Sequence, residues 1–350
     1  MSPVAVPSLR HSTAEELEIR RVRRGKGFSY HYGGGSRVAD TATLERIRGI
    51  AIPPAWTDVR ISNDPDAHLQ AVGRDQRGRL QYRYHPGWTA FRDRVKFDRL
   101  PTFANTLPSV RKRIDADLAL PGVPRDKVLA TVTELLQTTL IRVGNDEYAR
   151  DNGAYGLTTF RNRHARVSGS EIAFVFTGKS GISHEVHARD RRVAKVLREC
   201  QEIPGQRLFQ YLDDDGTPTP IHSHDVNEYL RDAADADITA KDFRTWVGTV
   251  ATASALGPLD PPTSEREERA LVKEAIERVA ADHGNTPTVC RASYVHPRVL
   301  EAFPTGTLHD SWANTPPRKA RLTLEERRTH ALLGRRARVR TEKGALRRAS

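Results

Sequence analysis

The amino-acid sequence predicts an α+β protein, with a small β-rich N-terminal domain and a larger, mostly α-helical domain that carries a small sheet of its own. Three observations point there. Strand-like alternation broken by turn residues runs over residues 28–84. From about Trp88 onward the apolar spacing switches to a helical period. Within that helical stretch, two alternating segments, residues 172–176 and 182–187, flank Gly178-Lys179-Ser180-Gly181 and read as a hairpin. The expected organisation is an N-terminal extension (residues 1–20), a β-rich domain (21–90), a second, larger domain (91–317) and a basic C-terminal tail (318–350).

The opening residues are polar and Pro-containing and read as a flexible extension. Gly33-Gly34-Gly35 marks a turn, and Ile52-Pro53-Pro54-Ala55-Trp56 a rigid extended segment. Asp75-Gln76-Arg77-Gly78 turns a hairpin between residues 68–73 and 80–84, whose second strand holds Gln81, Tyr82, Arg83 and Tyr84. Val128, Leu129, Val132, Leu135, Leu136 and Leu140 then fall on one helical face. Asp213-Asp214-Asp215-Gly216 is a further turn, followed by a helix over residues 225–233. Thr239 with Asp242 three residues later forms a capping box for a helix to Leu256. Residues 264–282 read as another helix. Thr286-Pro287 supplies the cap and first-turn proline of one that carries Tyr294.

Composition narrows the function. Of 350 residues, 37% are hydrophobic and 29% charged, which fits a soluble globular chain. No apolar run approaches the roughly 18–20 residues that span a bilayer. No basic segment followed by an apolar one suggests a secretory signal. Two cysteines exclude a disulfide scaffold and a Cys-rich zinc site, and suit a reducing cytoplasm. Net charge is +12, and residues 318–350, with 12 basic and 3 acidic side chains, hold most of it. The excess reads as an arm that adds non-specific phosphate contacts. The chain has only 10 lysines among its 56 basic residues, so each lysine stands out as a group that can release a proton.

Several motifs fail on inspection. Gly178-Lys179-Ser180 ends like a phosphate-binding loop, but Ala173 stands where that loop needs glycine, and a strand rather than a helix follows. His184-Glu185-Val186-His187 lacks the spacing that puts two imidazoles on one helical face, and His222-Ser223-His224 lies in a turn; both read as polar surface histidines. The tri-glycine alone reads as a loop.

Four other segments gain meaning as a set: Ile141-Arg142-Val143-Gly144-Asn145, Lys241-Asp242-Phe243-Arg244-Thr245-Trp246, Gly284-Asn285-Thr286-Pro287 and Arg291-Ala292-Ser293-Tyr294. In order, Arg142, Lys179, Arg244, Asn285 and Tyr294 resemble the active-site constellation of type IB DNA topoisomerases, in the poxvirus-like bacterial branch. The residue nine before the tyrosine, a His or Asn in that family, is here Asn285. Ile52-Pro53-Pro54-Ala55-Trp56 and Gly73-Arg74-Asp75 through Tyr84 look like the family's N-terminal β domain. The likeness spans about residues 20–305 and omits the extension and the tail.

The resemblance implies a clamp of two domains around duplex DNA and relaxation of supercoils by a monomer, in the cytoplasm at the nucleoid, without cofactor, metal or ATP. Tyr294 would attack a backbone phosphate and leave a 3′-phosphotyrosyl link. Arg142 and Arg244 would offer planar donors to the phosphate oxygens, and Lys179 would protonate the leaving 5′-oxygen. Lys241 would make a supporting contact, and Gln81, Tyr82 and Tyr84 would meet the DNA groove. Asn285 can donate a hydrogen bond but cannot carry a proton, so acid–base work at that position is excluded. Two alternatives stay open. A tyrosine recombinase-like strand transferase shares the residue order but carries His three before its second Arg, where this chain has Lys241. The other is a non-catalytic DNA-binding protein.

Overall fold

The computed structural model describes residues 8–314 and 316–334, and the chain divides between Asp98 and Arg99 into two compact units. Helix and strand are mixed, with an N-terminal sheet, as expected. Among the described residues, no helix is long and apolar enough to cross a membrane.

The first unit is a five-stranded antiparallel sheet. Its strands are β1 (Ile19–Arg24), β2 (Gly27–His31), β3 (Thr57–Ile61), β4 (Leu69–Arg74) and β5 (Leu80–Tyr84), in the order β2-β1-β3-β4-β5. Helix α1 (Thr41–Gly49), capped by Asp40, packs Ile47 against Ile19, Val59, Ile61 and Ala71. The β4–β5 turn falls where the sequence places it: Asp75 accepts from the backbone of Arg77 and Arg79, and Gly78 takes φ +75°. Helix α2 (Pro86–Asp98) closes the unit.

The N-terminal extension departs from expectation. Arg10 pairs in parallel with Ala67: its amide donates to Asp66 O at 2.9 Å, and its carbonyl accepts from His68 N at 2.8 Å. Leu17 is buried against Leu69 and Val72. The described part of the extension therefore covers the second face of β4, where residues 69 to 73 are all buried. Mean polarity hid this, because one leucine and a few backbone bonds suffice to dock a short strap. Residues 1–7 lie outside the described residues.

The second unit is a helical assembly around one small sheet. Helices α3 (Leu100–Leu118) and α4 (Arg125–Thr139) pack together, and α4 buries the predicted Val128, Leu129, Val132, Leu135 and Leu136. After the short α5 (Asp146–Asn152), strands β6 (Ala165–Ser168), β7 (Glu171–Thr177) and β8 (Ser183–Arg189) form an antiparallel sheet. Helix α6 (Arg191–Glu202) follows. The antiparallel pairing of β9 (Gln210–Leu212) with β10 (Pro218–Pro220) flanks the predicted Asp213–Gly216 turn, but strands so short carry no readable alternation.

Helices α7 (Ser223–Ala234), α8 (Ala240–Leu256), α9 (Glu265–Asp282), α10 (Pro287–Tyr294), α11 (Pro297–Ala302) and α12 (Thr307–Ala313) complete this unit's main body. The predicted caps are present: Asp242 accepts from Thr239 N at 2.8 Å, and Thr286 accepts from Val289 N at 3.3 Å.

Part of the expected tail is also folded. Helix α13 (Leu324–Gly334) buries Leu332 and Leu333 and packs on α3 and α8. Its Glu326 accepts two bonds from Arg111 at 2.8 Å each, and one from Trp246 Nε1 at 3.1 Å. Charge alone pointed to a free arm; Leu332 and the two-pronged Arg111–Glu326 pair anchor this stretch instead. Residues 335–350 lie outside the described residues.

Candidate active site

Four of the five residues picked out from sequence come together through direct contacts, and the fifth, Lys179, lines a cavity with two of them, Arg142 and Arg244. The loop that carries Arg142 begins at Leu140, which ends α4 in the left-handed region at φ +57°. It is pinned by Leu157 N on Arg142 O (2.9 Å) and by Thr158 N on Val143 O (2.7 Å). Gly156 lies so close that a Cβ there would sit 2.5 Å from Arg142 O. Only glycine fits there while the loop keeps this path.

Arg142 Nη2 donates to Asn285 Oδ1 at 3.0 Å. A guanidinium only donates, so the amide oxygen must face it. Asn285 Nδ2 then donates to His283 O at 3.0 Å, with its second hydrogen left for another acceptor. The backbone N–H of Asn285 donates to Ala280 O at 2.9 Å, which fixes the turn after α9.

Arg244 is buried on α8. Its Nη1 donates to Leu140 O and its Nη2 to His283 O at 2.7 Å. Two carbonyls from separate segments thus aim the guanidinium. Its Nε is buried without a hydrogen-bond partner among the described residues. Burial, and the like charge of Arg142, pull the Arg244 pKa down, yet guanidinium remains cationic at neutral pH.

Tyr294 ends α10, half-buried, with its ring centroid 5.2 Å from the Arg244 guanidinium carbon. Burial alone would raise its phenol. The charge and hydrogen bonding of Arg244 and then Arg142 outweigh that and hold it below the ordinary phenol range. Its carbonyl oxygen lies 3.2 Å from Thr249 Oγ1 of α8, whose hydroxyl donates to Thr245 O at 2.7 Å and accepts from His296 N at 3.1 Å.

Lys179 is exposed at the tip of the β7–β8 hairpin and lines a cavity of about 340 Å³ together with Arg142, Arg244, His184 and Gly284. Ser180 and Gly181, at φ +70° and +78°, shape the tip. Lys241 is exposed on the first turn of α8 and is not among the residues lining this cavity.

In the first unit, β5 is an edge strand. Tyr82 and Tyr84 are exposed with their rings 6.2 Å apart and nearly parallel, while alternation turns Gln81 and Arg83 to the opposite face. Gln81 donates to Asp75 at 3.1 Å. The three residues grouped from sequence therefore do not share a face.

Three site residues escaped the sequence reading. Gly248 lets α8 and α10 meet: a Cβ there would sit 2.7 Å from Tyr294 O. His283 is buried behind the tyrosine, its ring 5.4 Å away, and its Nε2 lies 3.1 Å from Arg244 O. His184, read as a surface histidine, is half-buried against Phe176 and lines the cavity. No local spacing marks these three, since each matters through a segment distant in sequence. His187 is exposed, as expected, and His222 Nδ1 lies 2.8 Å from Asp146 at the start of α5. Among the described residues, no three His, Cys, Asp or Glu side chains are grouped to hold a metal ion.

The helical unit brings two guanidinium groups beside a half-buried phenol. Comparison with known families supplies the class. Residues 86–308 match the family described as eukaryotic DNA topoisomerase I, catalytic core, and residues 27–75 match bacterial DNA topoisomerase IB, N-terminal domain. The chain belongs to the type IB DNA topoisomerase family and is an isomerase acting on DNA. Among its relatives, DNA topoisomerase 1B of Acanthamoeba polyphaga mimivirus is 30% identical over 292 residues, covering 81% of this chain and 87% of that protein. DNA topoisomerase 1B of vaccinia virus (strain Copenhagen) is 26% identical over 280 residues, covering 75% and 82%. DNA topoisomerase 1 of rabbit fibroma virus is 24% identical over 280 residues, covering 77% and 83%.

Proposed function

We propose that this topoisomerase relaxes supercoiled DNA through a 3′-phosphotyrosyl intermediate on Tyr294, using its own side chains rather than a bound metal or ATP. The observation that carries this reading is the joint action of Arg244 and Arg142 on a half-buried phenol. The same two cations that favour phenolate character lie where they can meet the oxygens of a phosphate under attack. Preorganised donors of this kind are worth about 10²–10³-fold each.

In the cleavage step, Tyr294 Oη forms a bond to phosphorus and the bond to the 5′-oxygen breaks. The phenol proton passes to solvent water, and Lys179 gives a proton to the departing oxygen. Arg142, Arg244 and the spare hydrogen of Asn285 carry the added negative charge of the pentavalent state. Resealing is the reverse: the 5′-hydroxyl attacks phosphorus, Lys179 recovers the proton, and Tyr294 leaves as phenolate and regains its proton from water. The phosphoester link is conserved throughout, so no external energy source is required. The free end swivels between the two steps.

The β-rich unit completes a clamp on the duplex, with Tyr82 and Tyr84 presented together to a groove. Gln81, on the other face, acts through its bond to Asp75. Lys241 contacts phosphate only once DNA is bound. The protein works as a monomer in the cytoplasm, at the nucleoid. A recombinase-like reaction is disfavoured by Lys241 at the position three before Arg244.

The deciding experiment is relaxation of supercoiled plasmid in EDTA without ATP, with the covalent DNA end mapped and Tyr294→Phe as control. The wild-type chain relaxes the plasmid and is recovered on a 3′ end, whereas Tyr294→Phe binds DNA but does neither. An inert wild-type chain, a 5′ adduct, or a requirement for two defined sites and a tetramer refutes the proposal.

A further inference from the structure

His184 is absent from the mechanism above, yet it occupies the junction of two of its parts. Its imidazole stacks on Phe176, with centroids 5.2 Å apart and planes at 21°. Phe176 in turn packs on the buried Phe160, with centroids 4.8 Å apart. The ring edge meets two glycines: a Cβ on Gly178 would sit 2.6 Å from Cδ2 and 2.7 Å from Nε2, and one on Gly284 would sit 2.8 Å from Cε1. Neither site can carry a side chain while the imidazole stays in place. Gly178 directly precedes Lys179, and Gly284 directly precedes Asn285.

We propose that His184 is a positioning residue that wedges the Lys179 hairpin against the Gly284–Asn285 turn and thereby sets where the general acid stands. This rests on the assignment of Lys179 as that acid.

The two sides of the wedge are held unequally. The turn is anchored on its own by Asn285 N on Ala280 O and by Arg142 on Asn285. The hairpin ladder ends at Thr177 opposite Ser183. Beyond it, only Gly178 N on Ile182 O (2.7 Å) and Gly181 N on Gly178 O (3.1 Å) shape the tip among the described backbone bonds. Losing the wedge therefore frees the hairpin rather than the turn. The imidazole is also suited to remain neutral: burial, then the charges of Arg142 and Arg244, lower its pKa. A neutral ring adds no third positive charge beside two guanidinium groups.

The test separates leaving-group assistance from every other step. Single-turnover cleavage is measured on two duplexes that differ only at the scissile 5′ position, one with oxygen and one with bridging sulfur. A thiolate departs without a proton, so the sulfur substrate does not need the general acid. His184→Ala should cleave the oxygen substrate about 10²-fold more slowly, the cost of misplacing a catalytic group by about 1 Å. On the sulfur substrate it should return to within several-fold of wild type. Partial unfolding lowers both rates equally and leaves their ratio unchanged, so a structural defect cannot imitate this result.

Lys179→Ala serves as the reference and should show the same pattern with a larger oxygen defect. If Lys179→Ala is rescued by sulfur and His184→Ala is not, the inference about His184 is wrong while the general-acid assignment stands. If sulfur fails to rescue Lys179→Ala, both fall. Wild-type cleavage of the oxygen substrate by His184→Ala also overturns the inference.

Discussion

The Gly248→Ala substitution tests whether the tyrosine is placed by the helix behind it. The added Cβ would lie 2.7 Å from Tyr294 O and 3.0 Å from Tyr294 Cβ, whereas ordinary contact begins at 3.4 Å. The Tyr294 carbonyl must therefore retreat by about 0.7 Å, or α8 must give way by as much. Helix α8 resists: Phe243, Arg244, Thr245 and Trp246 are all buried, and Trp246 is tied to Glu326. The displacement thus falls on Tyr294. Overpacking of this kind costs about 1–3 kcal/mol of stability. A nucleophile moved by most of an ångström loses on the order of 10–10²-fold in rate. Single-turnover formation of the covalent adduct, with DNA affinity and Tm measured in parallel, checks both numbers. The variant should bind DNA as wild type does but form adduct at a tenth of the rate or less. Wild-type adduct kinetics in a folded Gly248→Ala protein would show that this close approach does not place the nucleophile.

Three further outcomes are expected. Glu326→Gln removes the carboxylate that Arg111 and Trp246 share, and should lower stability by about 2–4 kcal/mol, less than a fully buried pair because Arg111 keeps 23% of its side-chain surface exposed. Burial would raise the Glu326 pKa, but Arg111 outweighs it and the net shift is downward, so its contribution is full above about pH 4.3 and fades as pH falls through the lowered folded value. Urea unfolding of both proteins should converge at low pH, and a constant gap refutes the linkage. Deleting residues 335–350, which carry seven basic side chains and one acidic, should weaken DNA binding and reduce the salt slope by up to about 6 while Tm is kept, whereas deletion from Arg318 also removes α13 and lowers Tm. An unchanged slope rules out tail contacts with phosphate. Finally, Arg142 and Arg244 lower the Tyr294 pKa, so adduct formation on the sulfur substrate should rise with pH and level off below the ordinary phenol range. In Arg142→Ala that limb should move to higher pH; an unmoved limb contradicts the electrostatic account.

Local signals in the sequence were enough for much of the architecture. A cap, a proline at the first turn or an alternating run acts over a few residues, so α8, α10 and the β7–β8 hairpin could be read directly. Short strands such as β9 and the strap at Arg10–Leu17 were not legible, because their stability comes from the surfaces they cover rather than from their own pattern. Charge misled in one place: α13 carries the composition of an arm but is held by Leu332 and Glu326 against distant helices.

The sequence by itself determined which residue types stand in which order, and hence the family and the five candidate groups. Chemistry at that level depends on side-chain identity, which needs no fold to be read. Only the tertiary structure decided how those groups are aimed. Arg244 is directed by carbonyls of Leu140 and His283, Arg142 by Asn285, and Tyr294 by the space that Gly248 leaves open. Those contacts join segments tens to more than a hundred residues apart, and spacing along the chain cannot encode a distance through the core.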